Sequence, residues 1–296
     1  MMIKFNEDYE EMVTYWYENY WEPGFKQWWK GHETLALHVG LYEKGIKNLR
    51  DALLNMNDFV GKLLKLKKNE KVKVLDAGCG VGGTSIYLGN KYPKAKFIGI
   101  TISRKQVEWA KKYAKERNFN KNTEFLRRSY LDTGFQDESF DKIFALESVD
   151  YAPDKRKFVK EMNRILKKGG RLVVVGPAMR KTQLNPFMKK ICRLFNIGRG
   201  NPFSFLTLND FKRYLEEEGF TNIKLIDISK KTYRSSVNST IIGIPFFIIV
   251  FFKKLLKGKK YDYSKDPHFY LAVDVLAPIL GLSGVAGYYA ITADKR

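Results

Sequence analysis

Between residues 71 and 175 the chain alternates short apolar runs with longer amphipathic stretches. "KVKVLD" (71–76) alternates and is rich in valine, the mark of a strand. Similar runs recur near 96–101, 123–127, 141–146 and 171–175, with helical periodicity between them. This alternation predicts a doubly wound, mostly parallel sheet. Upstream, residues 35–68 read as helix, because "NLRDALLNMNDFVGKLLKL" has apolar residues at i, i+3 and i+4. Downstream, "TLNDFKRYLEEEGF" (207–220) reads as a helix capped at Thr207 or Asn209 and stopped at Gly219. "TNIKLIDIS" then reads as a sixth strand and "GYYAITADK" (287–295) as a last, seventh one.

Two regions break the pattern. Residues 1–30 hold Trp16, Trp21, Trp28 and Trp29, four of the five tryptophans, too aromatic a stretch for an ordinary solvated helix. It is expected to fold over an apolar ligand or touch a membrane. Residues 230–286 separate the last two strands by far more than a usual connection. Within them "STIIGIPFFIIVFFKKLLKGKK" (239–260) sets an apolar run, Ile241 to Phe252, against a lysine cluster. Those twelve residues are too few for a bilayer, which needs about 20, and suit a segment lying in the headgroup interface. A buried helix with a solvated lysine tail is the competing expectation. The expected division is therefore an N-terminal helical and aromatic lid (1–70), a core (71–229 and 287–296), and an apolar, basic insert (230–286) acting as substrate cap or membrane contact.

The chemistry begins at "VLDAGCGVGGTSIYL" (74–88), which packs four glycines into six residues between a strand and a helix. Strand, glycine turn and helix form a ligand cradle. Gly78, Gly80 and Gly83 satisfy G-x-G-x-x-G, yet a dinucleotide fits poorly. Asp76 at the strand end would repel a pyrophosphate and suits a ligand carrying an ammonium group. The acidic residue that should end the second strand is replaced by Thr101.

D-A-G-C-G-V-G resembles motif I of class I S-adenosylmethionine-dependent methyltransferases. "GITISRKQVEWA" (99–110) and "FDKIFALESVDYAPDKRKFVKEMNRILKKGGRLVVV" (140–175) resemble the branch holding sterol and tocopherol C-methyltransferases and cyclopropane fatty-acid synthases. The resemblance covers about residues 35–180 and resumes at 205–229 and 287–296. It implies the Rossmann-like methyltransferase fold and S-adenosyl-L-methionine as cofactor. Gly78, Gly80 and Gly82 would admit its methionine half, with the small Cys79 packed among them, and Asp76 would hold its ammonium. The T-x-S-x-x-Q segment carries over Thr101 and Gln106, with Ile102 between them. Ser129 and Tyr130 stand where an adenine-binding residue opens the turn after strand three, Leu146 ends strand four, and His38 matches a cofactor-covering segment.

On the acceptor side Glu147, Asp150 and Tyr151 follow strand four, where the methyl group emerges. Methylation of an alkene carbon creates a cation that needs negative charge or aromatic faces, then a base. Glu147 is the leading candidate for that role and Asp150 the second. Sterol and tocopherol enzymes carry a histidine where this chain has Tyr151, so their substrate does not transfer with the resemblance. The expected reaction is methylation of a lipid, isoprenoid, sterol-like or quinone-like acceptor at carbon, with an amine or phospholipid headgroup as the alternative.

The net charge of +21 raises a nucleic-acid substrate. It is unevenly placed: residues 1–60 carry 6 Lys/Arg against 10 Asp/Glu, whereas residues 180–265 carry 18 against 6. The basic region coincides with the apolar insert, which favours an anionic membrane surface over nucleic acid. The segment "ESVD" after strand four also lacks the N-P-P-Y or D-P-P-Y pattern that grips a flipped base. Two cysteines, Cys79 and Cys192, make no disulfide framework, and His32, His38 and His268 have no metal-ligand spacing. With no signal peptide legible, the expected location is cytoplasmic, peripheral on the inner membrane face.

Overall fold

The computed structural model describes residue 14 and residues 31–296 apart from 120, 182, 200–205, 264 and 265. The aromatic stretch of residues 1–30 lies, but for residue 14, outside the described residues.

After a single turn at Gly31–Thr34, helix α1 spans Leu49–Leu63, and Asn48 caps it by accepting the Asp51 amide. The expected helix over 35–68 is thus shorter. Residues 35–48 are irregular because Leu35, Ala36 and Leu41 are buried in succession, without helical spacing. There follow β1 (Lys73–Ala77), α2 (Gly83–Lys91), β2 (Lys96–Thr101), α3 (Arg104–Glu116), β3 (Thr123–Arg127) and β4 (Phe140–Leu146). Next come α4 (Lys155–Ile165), β5 (Leu166–Met179), α5 (Pro186–Gly198), α6 (Leu208–Glu217) and β6 (Phe220–Asp227). The chain ends with α7 (Ser229–Lys257), α8 (Pro267–Ala272), α9 (Ala277–Leu282) and β7 (Ala286–Lys295).

The seven strands pair in the order β3-β2-β1-β4-β5-β7-β6. All pairs are parallel except those made by β7, which runs antiparallel between β5 and β6. One face of the sheet packs Phe140, Phe158, Met162 and Phe211 under α4 and α6, and the other packs Met56, Val60, Leu88 and Phe97 under α1 and α2. Strand order reverses at β1, whose neighbours are β2 and β4. At such a switch point the connections leave in opposite directions and open a crevice at the carboxyl ends of the strands.

The insert differs from the expected short run. Residues 229–240 continue the apolar run into one helix of 29 residues, long and apolar enough by length and composition to cross a membrane. Its polar first half is tied to the core. Ser235 Oγ accepts the Gly40 amide at 2.8 Å and donates to the Gly40 carbonyl at 3.2 Å. Lys231 pairs with Glu43 at 2.7 Å, and Arg234 donates to the Lys47 carbonyl at 2.7 Å. The second half packs with α5, α8 and α9 into a separate apolar cluster that includes Ile191, Phe195, Val250, Phe269 and Leu280.

Candidate active site

The glycine turn grows out of β1. The amides of Gly78 and Cys79 both donate to the Ile100 carbonyl at 2.9 Å, anchoring the turn to β2. Those two N–H groups are therefore spent within the protein rather than aimed at a ligand. Gly78, Gly80 and Gly82 all have positive φ, a conformation that a side chain would strain. The space around them differs. A Cβ on Gly80 would stand 2.3 Å from Leu37 Cδ1, so the irregular segment before α1 lies directly over the turn. A Cβ on Gly78 would meet Ser148 Cβ at 2.3 Å. One on Gly82 would strike the Phe125 ring at 2.6 Å, on the core side.

A cleft lies at the switch point, lined by Asp76, Gly78, Gly80, Thr101, Gln106 and Glu147 among others. Asp76 is 2% exposed, and among the described residues its side chain is bonded by Ser85 Oγ at 2.8 Å. Loss of hydration lifts its carboxyl to about 7, opposed by the Ser85 bond. A buried carboxylate at a cleft wall has the charge to pair with a cation brought by a ligand. Thr101 Oγ1 donates to Gln106 Oε1 at 2.7 Å, and Ser103 caps α3 by accepting the Gln106 amide at 3.2 Å. Gln106 is accordingly buried, not a solvated helix residue. His38 sets Nδ1 at 3.0 Å from the Val39 carbonyl and Nε2 at 3.0 Å from Asn57 Oδ1, and burial holds its pKa down.

Of the residues expected here, His38, Asp76, Gly78, Cys79, Gly80, Thr101, Ile102, Gln106, Tyr130, Leu146, Glu147 and Tyr151 line the cleft. Gly82, Ser129 and Asp150 are outside that lining. Gly82 serves the packing of α2 on Phe125. Ser129 turns inward to accept the Leu131 amide at 3.3 Å. Asp150 lies buried behind the site, in a small separate cavity, where it accepts the Leu206 amide at 3.3 Å. Burial is the main force lifting its carboxyl to about 6.

Glu147 occupies the centre. It follows β4 with φ of 50°, a left-handed conformation uncommon outside glycine, and its amide donates to the Val175 carbonyl at 2.7 Å. Its Oε1 accepts the Val39 amide at 2.6 Å and also the Tyr288 hydroxyl. Its Oε2 lies 3.8 Å from Arg199, whose other nitrogen meets Asp274 at 3.2 Å. Tyr151 donates to the Arg199 carbonyl at 3.1 Å. Glu147 also lines a second cavity of about 900 Å³, bounded by Phe195, Arg199, Ser236, Leu282 and Tyr288 among others, on the side of α7 and β7.

Sequence reasoning passed over Leu37, Thr84 and Tyr288, and met Ser103 and Ser148 only as members of the segments after strands two and four. Ser103 had a signal, because S-x-x-Q at 103–106 is a helix-capping pattern. Ser148 donates to the Ala77 carbonyl at 2.6 Å, and Tyr130 donates to the Ser148 carbonyl at 3.0 Å; only the fold makes them neighbours.

The family model described as "Methyltransferase domain" matches residues 68–231. The chloroplastic tocopherol O-methyltransferase of Arabidopsis thaliana is 34% identical over 167 residues, 53% of this chain and 46% of that protein. The sterol 24-C-methyltransferase of Candida albicans is 27% identical over 217 residues, covering 73% and 52%. The chain spans about half the length of the curated relatives it matches. Among solved structures, a cyclopropane synthase from Mycobacterium tuberculosis superposes with a TM-score of 0.80 at 16% identity, over 98% of this chain and all of that one, a likeness of fold. With a glycine turn at the switch point of a seven-stranded sheet, and a family match across more than half its length, this chain belongs to the methyltransferase domain family.

Proposed function

We propose that the chain is an S-adenosylmethionine-dependent methyltransferase that methylates a hydrophobic small molecule at carbon. One observation carries the reading: the cleft holding Asp76 and a cavity of about 900 Å³ meet at a single carboxylate, Glu147. A volume of that order suits a lipid-sized ligand. Bound in the cleft, the cofactor supplies a methyl group on a positively charged sulfur, open to in-line displacement by the acceptor. Asp76 holds the ammonium of its amino-acid end. Thr101 and Gln106 bound the cleft at the end of β2. The Leu37 segment excludes water from above the turn. Glu147 stabilises positive charge on the methylated acceptor. With Oε1 already accepting two bonds, Oε2 is the oxygen left to take a proton. The relatives named for tocopherol and sterol support an apolar acceptor.

The same reading sets the enzyme at an anionic membrane surface on the cytoplasmic side. The support is the basic charge of residues 180–265 beside the exposed apolar residues of α7.

Calorimetric titration with S-adenosylmethionine and its demethylated product tests the cofactor. Incubation with the methyl-labelled cofactor and a lipid extract then tests the acceptor. Label in the organic phase, resistant to ester and amide hydrolysis and carried on carbon by NMR, is the expected result. No affinity for either cofactor form overturns the proposal, and label on a headgroup nitrogen overturns its carbon specificity.

A further inference from the structure

We propose that α7 is both a wall of the acceptor cavity and a membrane-seated ramp, so that the acceptor is a bilayer lipid drawn sideways from an anionic membrane into the site. The inference rests on the methyl-transfer reading for what the cavity serves and adds where the acceptor comes from.

The first turn of α7, residues 229–233, lines the cavity, and Ser236 and Ser239 continue that wall along one side of the helix. The second half carries a different stripe. Ile241, Ile244, Ile248, Phe251 and Leu255 recur at the same spacing and are 47–62% exposed, flanked by Phe252 and Leu256. The other side of this half is occupied. A Cβ on Gly243 would come within 2.7 Å of the Leu271 carbonyl, and Val250 is buried in the cluster with α8 and α9. The exposed stripe thus has no cover among the described residues, and patches of this kind mark interaction sites.

Charge names the occupant. Lys254, Lys257 and Lys260 close the stripe, and α5 adds exposed Phe187, Lys189, Lys190 and Arg193. Apolar side chains bordered by lysine are what an anionic lipid surface accepts. A second copy would bring together two regions that each carry 18 basic against 6 acidic residues. The helix lies in the membrane rather than across it. Its first half is held by Gly40, Glu43 and Lys47, and the remainder, 241–257, runs about 26 Å at the helical rise and ends in lysine. The hydrocarbon core is about 30 Å thick.

The two halves meet at an opening. Leu282 and Tyr233 line the cavity and are themselves 74% and 39% exposed, and α9, which carries Leu282, packs against α7. An acyl or isoprenoid chain can therefore leave the bilayer along α7 and enter past Leu282 toward Glu147 while staying in apolar contact.

The test uses the full chain and vesicles of phosphatidylcholine and phosphatidylglycerol doped with a diazirine-tailed fatty acid. The protein should sediment with the vesicles, and irradiation should label peptides from both the stripe and the cavity wall. Ile248→Glu with Phe252→Glu should weaken vesicle binding on the order of a hundredfold and abolish both labels. Leu255→Glu with Leu256→Glu, on the most exposed positions, should do the same, which separates membrane binding from misfolding. Ser236→Trp should keep vesicle binding and stripe labelling but lose the cavity label. Cavity labelling that persists in the stripe variants overturns the sideways route. So does a wild-type chain that ignores the vesicles, or one whose stripe variants change a dimer into a monomer in sedimentation velocity. Cofactor titration on the same samples reads the methyl-transfer proposal separately, since its failure leaves the labelling pattern untouched.

Discussion

Tyr288 of β7 donates its hydroxyl to the carboxylate of Glu147, at the boundary between the cleft that holds Asp76 and the cavity of about 900 Å³. Burial, then the adjacent negative charge, hold the Tyr288 phenol well above its ordinary pKa, so it stays protonated and remains a donor. It also fixes which oxygen of Glu147 is left for Arg199 and the acceptor.

Glu147→Gln should keep the shape of the site and remove its negative charge. Turnover should fall about 10²- to 10³-fold, the usual cost of losing one preorganised electrostatic partner, with cofactor affinity nearly unchanged. Tyr288→Phe should give a smaller loss in kcat, about tenfold. Single-turnover kinetics beside calorimetry checks both; equal loss of cofactor binding would make Glu147 a cofactor ligand instead.

The elevated carboxyl of Asp76 predicts a pH signature. In the empty protein it is half protonated near pH 7, whereas an ammonium ligand needs it ionised. Cofactor binding should release a proton near neutrality, and affinity should fall up to tenfold per unit below pH 7. Because its folded pKa lies above the unfolded one, the contribution of Asp76 to the stability of the empty protein falls as pH rises from about 4 to about 7 and is flat beyond. Asp76→Asn should weaken binding, remove this dependence and raise the melting temperature at pH 7. Calorimetry in buffers of different ionisation enthalpy measures the proton directly.

Gly80 and Gly82 should part company on mutation. Gly80→Val forces Leu37 off the turn and strains a positive φ, so cofactor binding should be lost at a stability cost of about 1–3 kcal/mol. Gly82→Ala drives a methyl into Phe125 and Ala110, so its effect should fall on stability, about 2–4 kcal/mol, with affinity in the remaining folded protein largely preserved. Urea titration and calorimetry on each variant distinguish the two.

Arg171 grips Asp294 with two bonds, of 2.8 and 2.9 Å, joining β5 to β7. Both side chains are largely buried. Asp294→Asn should cost about 1–3 kcal/mol without altering cofactor affinity, read as a shift in the urea midpoint.

The strands and the glycine turn were legible because their signals are local: valine alternation in 71–76, glycines where the backbone needs positive φ, an acidic residue at the strand end. Twelve of the fifteen expected site residues converge on one cleft, and all of them except His38 end β1, β2 or β4 or lie in the segments that follow β1 to β4. What escaped is non-local. Tyr288 lies 141 positions from Glu147, and only the antiparallel insertion of β7 brings it near. The helical extent of α7 was hidden for another reason. Serines and threonines in 229–240 look like a loop when they are read against water, but several of them line a cavity, and Ser229, Ser235 and Thr240 bond to neighbouring chain segments.

Because β7 is flanked on both sides, by β5 and by β6, the sheet has a vacancy until residues 286–295 leave the ribosome. Until then β6 has nothing to pair with, α7 lacks part of its footing and Glu147 lacks Tyr288. A nascent chain can pair β1 to β5 early, yet β6 and the polar first half of α7 stay incompletely packed until β7 has emerged. Placing β7 inside the sheet instead of at its edge thus makes the β6 edge of the fold depend on a strand that is more than fifty residues later in the chain.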